Sequence, residues 1–212
     1  VGIQEAWLGW HPVPTNPWRV RLKAGSYFPA TSLETGYDSA TWSAERTFSA
    51  SAVNTWIGQE IRINGVELDL LRRGAFAGSP HTFGVTAGVF TGNDPAGTLL
   101  AWQGWNLSGG ITGVGQHSRL PDLPAYRPDG TVPIQTRDVH LYREIDGRLG
   151  RYAVGHYGHA GWLEVSVLHY DNRADPLRIE GRQYAWHTRF NHASLRLRLP
   201  GNWEVLAQGL RG

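Results

Sequence analysis

The sequence predicts an all-β fold of consecutive antiparallel strands, and three observations support that prediction. Apolar and polar residues alternate with period two in most segments, as they do when each strand turns one face to an apolar environment. Glycine and proline separate these segments, with 27 Gly and 12 Pro in 212 residues. No segment carries a convincing apolar repeat of helical period. We expect about eleven strands along the chain.

The segment from residue 18 to residue 28 shows the alternation most clearly. Val20 and Leu22 fall on its apolar face. Its other face carries the cations Arg19, Arg21 and Lys23. Either the apolar face covers a soluble core and the cations meet bulk water, or the apolar face meets lipid and the cations line an aqueous lumen.

Further cations occupy similar positions later in the chain. Residues 183–191 and 194–199 are predicted to form two neighbouring strands. If these strands pair, their cations lie on one wall: His187, Arg189, Arg196 and Arg198.

Another strand is predicted from Trp56, with Glu60 and Arg62 on its polar face. The phase of the alternation slips at Asn64-Gly65, which predicts either a bulge inside one long strand or a two-residue hairpin turn, with the bulge slightly favoured.

Composition excludes several functional classes. The absence of Cys excludes disulfides, thiolate catalysis and Cys-ligated metals. No apolar run approaches the ~18 residues of a membrane helix, and a formal charge of +2 gives no reason to expect a nucleic-acid partner. Because the sequence also lacks Met, we expect residues 1–212 to be one β-barrel domain that is an internal fragment of a longer barrel.

Alternation alone fits both a soluble β-sandwich and a transmembrane β-barrel. Three features favour the barrel: aromatic residues at the ends of apolar faces, cations concentrated on single strand faces, and few Leu and Ile for a shared dry core. The predicted fold class is therefore an antiparallel up-and-down transmembrane β-barrel, of which the chain supplies a part. The long irregular segment Asn106–Arg137 suits a barrel loop, either folded inward as a constriction or exposed.

Short motifs resemble proteobacterial outer-membrane porins of the phosphate-selective group. The segment Gly25–Glu34, GSYFPATSLE, resembles the strand-to-loop junction of these porins, and Glu45-Arg46 matches an acidic-basic pair that follows it. The segment Trp203–Gly212 is similar to a porin strand that other strands follow.

The resemblance implies a bacterial outer-membrane barrel of about sixteen to eighteen strands. Its surroundings would be membrane lipid and lipopolysaccharide, and it would pass small hydrophilic or anionic solutes without a cofactor. Many porins are trimers, and the sequence leaves a homotrimer open.

The expected pore-lining residues carry positive charge that would attract anions. They are Arg19, Arg21, Lys23, Arg62, His187, Arg189, Arg196 and Arg198. No enzyme is predicted, because the sequence has no G-x-S-x-G nucleophile motif. No metal site is predicted either, since His156 and His159 have no carboxylate nearby in sequence.

The main alternative is a soluble carbohydrate-binding sandwich of lectin type. Its binding residues would be tryptophans that stack on sugar rings. The first candidates are Trp7, Trp10, Trp102 and Trp105.

Overall fold

The computed structural model describes residues 2–33, 51–105, 112–131 and 135–212. These residues contain two short α-helices and twelve strands. The helices are α1 (Ala52–Glu60) and α2 (Thr98–Gln103), and 3₁₀ turns cover Gly74–Ala77 and Pro124–Tyr126. The strands are β1 (Ala6–Trp10), β2 (Trp18–Tyr27), β3 (Ile63–Arg72), β4 (His81–Thr91), β5 (Ser118–Arg119), β6 (Asp138–Val139), β7 (Gly150–His159), β8 (Leu163–Asp171), β9 (Ile179–Glu180), β10 (Gln183–Tyr184), β11 (Arg189–Leu199) and β12 (Trp203–Arg211).

One antiparallel sheet of eight strands dominates the molecule. Its spatial order is β1-β2-β3-β4-β7-β8-β11-β12, which is also the order of these strands along the chain. The remaining four strands have two residues each and form the separate pairs β5–β6 and β9–β10. The all-β antiparallel prediction is confirmed. About eleven strands were expected, and the described residues contain twelve, of which eight form this sheet. The sheet is not closed into a barrel, because among the described residues its edge strands β1 and β12 do not pair with each other.

The connections differ at the two ends of the sheet. At one end, here called the turn end, residues 11–17, 73–80, 160–162 and 200–202 connect neighbouring strands. The left-handed φ values of Gly201 (79°) and Asn202 (61°) close the last of these turns. At the other end, the loop end, the connections are residues 28–62, 92–149 and 172–188.

The sheet curls toward one face. Ser32 donates a hydrogen bond to the side chain of Gln208 on β12, 3.0 Å away. Ser32 follows β2 by only five residues, which span at most about 17 Å, whereas six strand spacings from β2 to β12 would measure about 29 Å in a flat sheet. Curling brings these distant strands closer together. We call the face on the inside of this curve the inner face and the opposite one the outer face.

The hydrophobic core lies on the inner face at the loop end. It combines inner-face residues of the strands with the apolar side of α1 and neighbouring loop residues. Its buried members are Tyr27, Trp56, Ile57, Ile61, Ile63, Phe90, Ala96, Tyr152, Val154, Leu168, Tyr170 and Phe190. The two short helices therefore cover the loop-end opening of the sheet.

The strand predicted from Trp56 is wrong. Ile57 and Ile61 are four residues apart, a spacing that puts them on one side of a helix, and Ile61 N–H bonds the Ile57 carbonyl at 2.8 Å. The slip at Asn64-Gly65 is neither bulge nor hairpin, because β3 pairs continuously through both residues with β2 and β4. The change of phase lies within β3, where Ile63 faces the buried core and Val66 and Leu68 face outward.

The two strands predicted at 183–191 and 194–199 are also corrected. A single strand, β11, contains the last three residues of the first segment and all of the second, and it pairs with β8 and β12. Residues 183–188 precede this strand, and Gln183 and Tyr184 form the short strand β10. No turn separates the two segments, so Arg189 and Arg196 are seven positions apart on one strand and point to opposite faces.

Candidate functional site

The outer face of the sheet is apolar and exposed. On β4 the side chains of Val85 and Val89 are 56 % and 54 % exposed, and on β8 Val167 is 54 % exposed. Other exposed outer-face residues are Leu8, Leu22, Val66, Leu68, Leu70, Leu199 and Val205. A soluble monomer rarely exposes an apolar patch that extends across most of a sheet. This face is suited to contact with an apolar medium.

Aromatic side chains form a row at the turn end of the outer face. Phe83 and Tyr157 are cross-strand neighbours with ring centroids 5.3 Å apart. Four exposed tryptophans lie at the same end: Trp10, Trp18, Trp162 and Trp203. At the loop end the outer positions become polar, as in the pair His169 and Asn191, whose side chains hydrogen-bond at 2.9 Å. The apolar band of the outer face is thus bounded by aromatic residues at the turn end and by polar residues at the loop end.

The first polar cluster of the inner face centres on Asp69 of β3. Its carboxylate accepts hydrogen bonds from Arg21 (3.1 Å), Arg19 (3.3 Å) and Thr86 (2.8 Å). Thr86 also contacts His156 Nε2 at 3.1 Å. Asp69, Thr86 and His156 are buried. Two of the predicted cations therefore lie on the inner face, each with a carboxylate partner.

The second cluster lies one step closer to the loop end. Lys23 forms an ion pair with Glu67 at 3.4 Å and lies 4.3 Å from the ring centroid of Tyr27. The Tyr152 hydroxyl donates to the same Glu67 carboxylate. Gly88 leaves room for this tyrosine, because a Cβ there would lie 2.4 Å from the Tyr152 ring. The small side chains of β4 thus accommodate the polar groups of the inner face.

The third cluster is on the far side of the sheet. Arg196 of β11 is buried and pairs with Glu164 of β8. Arg198 pairs with Glu204 of β12 at 3.5 Å and donates to the Gly161 carbonyl at 3.2 Å. These two arginines also belong to the inner face.

Arg62 lies apart from these clusters. It precedes β3 at the loop end, where its guanidinium donates to the carbonyls of Gln4 (2.9 Å) and Thr112 (3.0 Å) and stacks 3.5 Å from the Tyr142 ring centroid. Burial lowers its pKa from the ordinary arginine value. It borders a cavity of about 300 Å³ that His140 and Arg143 also line.

The other two predicted cations do not share the inner wall. His187 lies in the connection before β11 and contacts Asp171 at 3.0 Å. Arg189 is exposed on the outer face, in register with Asp171. Because one strand replaces the two expected strands, the single wall of four cations does not form.

Glu60 lies at the loop end, where it connects the two helices. Its buried carboxylate accepts the backbone N–H groups of Gly97 (3.2 Å), Leu99 (2.6 Å) and Leu100 (3.4 Å), and also the indole N–H of Trp56. The end of α1 is thereby tied to the start of α2. Burial raises the pKa of Glu60 to about 7.

A second loop-end cavity has aromatic walls. Its volume is about 460 Å³, and its lining includes Trp102, Tyr184 and Trp186 together with Gln135 and His187. The Trp186 indole nitrogen is buried without a hydrogen-bond partner among the described residues. The other tryptophans expected to stack on sugars lie elsewhere: Trp7 is near Lys23, Trp10 is at the turn end, and Trp105 packs against Trp56.

The sequence-based prediction missed two carboxylates of the inner face, those of Glu67 and Asp69. Glu67 and Asp69 alternate with Val66, Leu68 and Leu70, so the apolar phase already assigns them to the polar face of β3. Reading that phase beside the cations of β2 would have indicated neutralising partners.

Comparisons with known proteins find no match, whether the chain is compared with protein-family models, with characterised proteins or with solved structures. Among the described residues, no helix has the length and apolar character needed to cross a membrane.

Proposed function

We propose that the chain forms part of the wall of a porin-like β-barrel in a bacterial outer membrane, through which small hydrophilic solutes diffuse passively. The carrying observation is the exposed apolar outer face. Seven of the eight strands are 9–11 residues long, which is the length that a tilted strand needs to cross a bilayer. Lipid contact would remove the cost of exposing this surface to water.

The ends of the sheet support the same proposal. Outer-membrane barrels have short turns at one end, longer loops at the other and aromatic residues at the membrane interfaces. The short connections, the long connections and the turn-end tryptophans of this chain follow that arrangement. We assign the aromatic row to one membrane interface.

The polar inner face would then border the solute path. Five cations of the described strands point to this face, namely Arg19, Arg21, Lys23, Arg196 and Arg198. Four carboxylates, of Glu67, Asp69, Glu164 and Glu204, lie beside them. Charge is nearly balanced, so we propose a mild anion preference rather than a strong one.

Two measurements test this function. The chain should float with liposomes of outer-membrane lipid after refolding, and the complete open reading frame that contains it should give stepwise conductance in a planar bilayer. Replacing Arg19, Arg21 and Lys23 together by Gln should shift the reversal potential toward cation preference. A chain that stays in the aqueous fraction, with no conductance steps from the complete protein, would contradict the proposal.

Carbohydrate binding is a second candidate, favoured by the cavity of Trp102, Tyr184 and Trp186. Indole and phenol rings stack on the apolar faces of sugars, and the polar Gln135 and His187 could bond hydroxyl groups. Oligosaccharide titration should quench tryptophan fluorescence, and Trp186→Ala should abolish that response, whereas Trp203→Ala at the turn end should preserve it. Equal responses from both variants would contradict a sugar site here.

A further inference from the structure

Three metal-ligating side chains converge at the turn end of the outer face. His81 is the first residue of β4 and His159 the last residue of β7, and the register places them directly opposite each other. Tyr157 lies two residues before His159, on the same face of β7. Sequence distance concealed this group, since His81 and His159 are 78 positions apart.

The donor atoms of these side chains form a small triangle. His81 Nδ1 lies 3.3 Å from His159 Nδ1 and 3.0 Å from the Tyr157 hydroxyl oxygen, and that oxygen lies 3.5 Å from His159 Nδ1. Ligand atoms around a four-coordinate ion with bonds of 2.0–2.1 Å are about 3.3 Å apart. One ion can therefore contact all three atoms with little movement of the side chains.

The surroundings hold the imidazole rings in place. Phe83 stacks beside His81 with centroids 6.2 Å apart, and Trp162 meets the His159 ring edge-on at 5.6 Å. The three donor side chains are half-buried, so they are both ordered by neighbours and reachable from solvent. Such an arrangement fixes three ligands and leaves a further coordination position for water.

We propose that His81, Tyr157 and His159 form a transition-metal site that joins β4 to β7 at the turn end. Imidazole nitrogen suits Zn²⁺, Ni²⁺ and Cu²⁺, and Cu²⁺ binds most tightly in the general affinity order. The phenol contributes after losing its proton. The site does not depend on the porin-like proposal, because its geometry is complete within one strand pair.

Copper titration of the purified chain tests the site. We expect one Cu²⁺ per chain, with nitrogen hyperfine structure in its electron paramagnetic resonance spectrum. His81→Gln and His159→Gln should each weaken binding at least about tenfold. Tyr157→Phe should keep a copper signal but lose the visible phenolate-to-copper absorption band.

The matched control is His117→Gln. His117 belongs to the other close imidazole pair, with His140 at a centroid distance of 3.6 Å. This variant should bind copper at the turn end as the unmodified chain does. If His81→Gln and His159→Gln bind copper as tightly as the unmodified chain, the three side chains form only a hydrogen-bonded cluster and the proposal is overturned.

A measurement without mutations covers variants that fail to fold. Diethyl pyrocarbonate modifies imidazoles that are free to react, and mass spectrometry identifies the modified residues. Zn²⁺ should protect His81 and His159 while His11 and His169 stay reactive. Equal modification of His81 and His159 with and without Zn²⁺ would overturn the site.

Discussion

Outside the loop-end core, the two faces of the eight-stranded sheet reverse the usual distribution of a soluble protein. The outer face exposes Leu68, Val85 and Val167, whereas the inner face buries Asp69 and Arg196. The same strands form both faces, because neighbouring residues point to opposite sides. Alternation therefore defines two faces, and only burial reveals which one is turned inward.

The largest expected effect comes from placing charge on the outer face. Val85→Arg or Leu68→Arg should destabilise the chain folded in bilayers by about 2–4 kcal/mol, because a lipid-facing cation near the bilayer centre is costly. Urea titration in lipid vesicles measures this cost. His169→Arg, at a polar outer-face position of the loop end, is the control and should cost about 0–1 kcal/mol. Equal costs at the three positions would mean that the outer face does not meet hydrocarbon.

Glu60 at the loop end differs from the ion-paired carboxylates of the strands, because its partners are backbone N–H groups and the Trp56 indole. Its folded-state pKa of about 7 lies above the ordinary 4.5, so folding favours the protonated carboxyl. Its stabilising contribution is full below about pH 4.5 and is lost as the pH rises to about 7, a change of up to about 3 kcal/mol.

Chemical denaturation from pH 4.5 to pH 8 measures this change. Glu60→Gln should flatten the profile, whereas the exposed Glu180→Gln should leave it unaltered. A Glu60→Gln profile as steep as that of the unmodified chain would mean that another group causes the pH dependence.

Asp69 tests the charge balance of the inner face. Asp69→Asn removes the carboxylate that Arg19 and Arg21 share, which should cost about 1–3 kcal/mol of folding free energy. Asp122→Asn, in an exposed ion pair with Arg127, should cost much less, because solvent screens exposed pairs. Denaturant unfolding compares the two variants, and similar losses would show that burial does not strengthen the Asp69 cluster.

The smallest expected effect concerns the tryptophan row. Trp203→Ala should weaken vesicle association by about 1–2 kcal/mol, since an interfacial indole contributes mainly through burial of part of its ring. Co-sedimentation with vesicles measures the change. Trp105→Ala, a loop-end substitution, is the comparison, and equal effects would argue against an interfacial role for the turn-end row.

Local patterns predicted the strands better than the elements between them. The alternation of β2, from Trp18 to Tyr27, was sufficient to separate its cations from Val20 and Leu22. The helix Ala52–Glu60 was not predicted. Over so few residues, the spacing of Ile57, Ile61 and Ile63 fits a strand as well as it fits a helix followed by a strand. Two parts of the segments that carry the porin resemblance lie outside the described residues, namely Glu34 and Glu45-Arg46.

Contacts across the sheet were beyond the reach of sequence patterns. The ion pairs of Asp69 and Glu67 require the register between β2 and β3, and the meeting of His81 with His159 requires the register between β4 and β7. A shift of one residue in either register would place these side chains on opposite faces. Alternation specifies the faces of each strand but not the alignment of its neighbour.

The central claim is that the outer face meets lipid, and cysteine labelling on β8 tests it most directly. The chain has no native cysteine, so Val165→Cys, Ser166→Cys and Val167→Cys each provide a single site for a fluorescent label after refolding in vesicles. We expect nitroxide-labelled lipid to quench the labels at 165 and 167 and to spare the label at 166. Quenching of the labels at 165 and 167 by aqueous iodide, with none by the lipid nitroxide, would contradict the account.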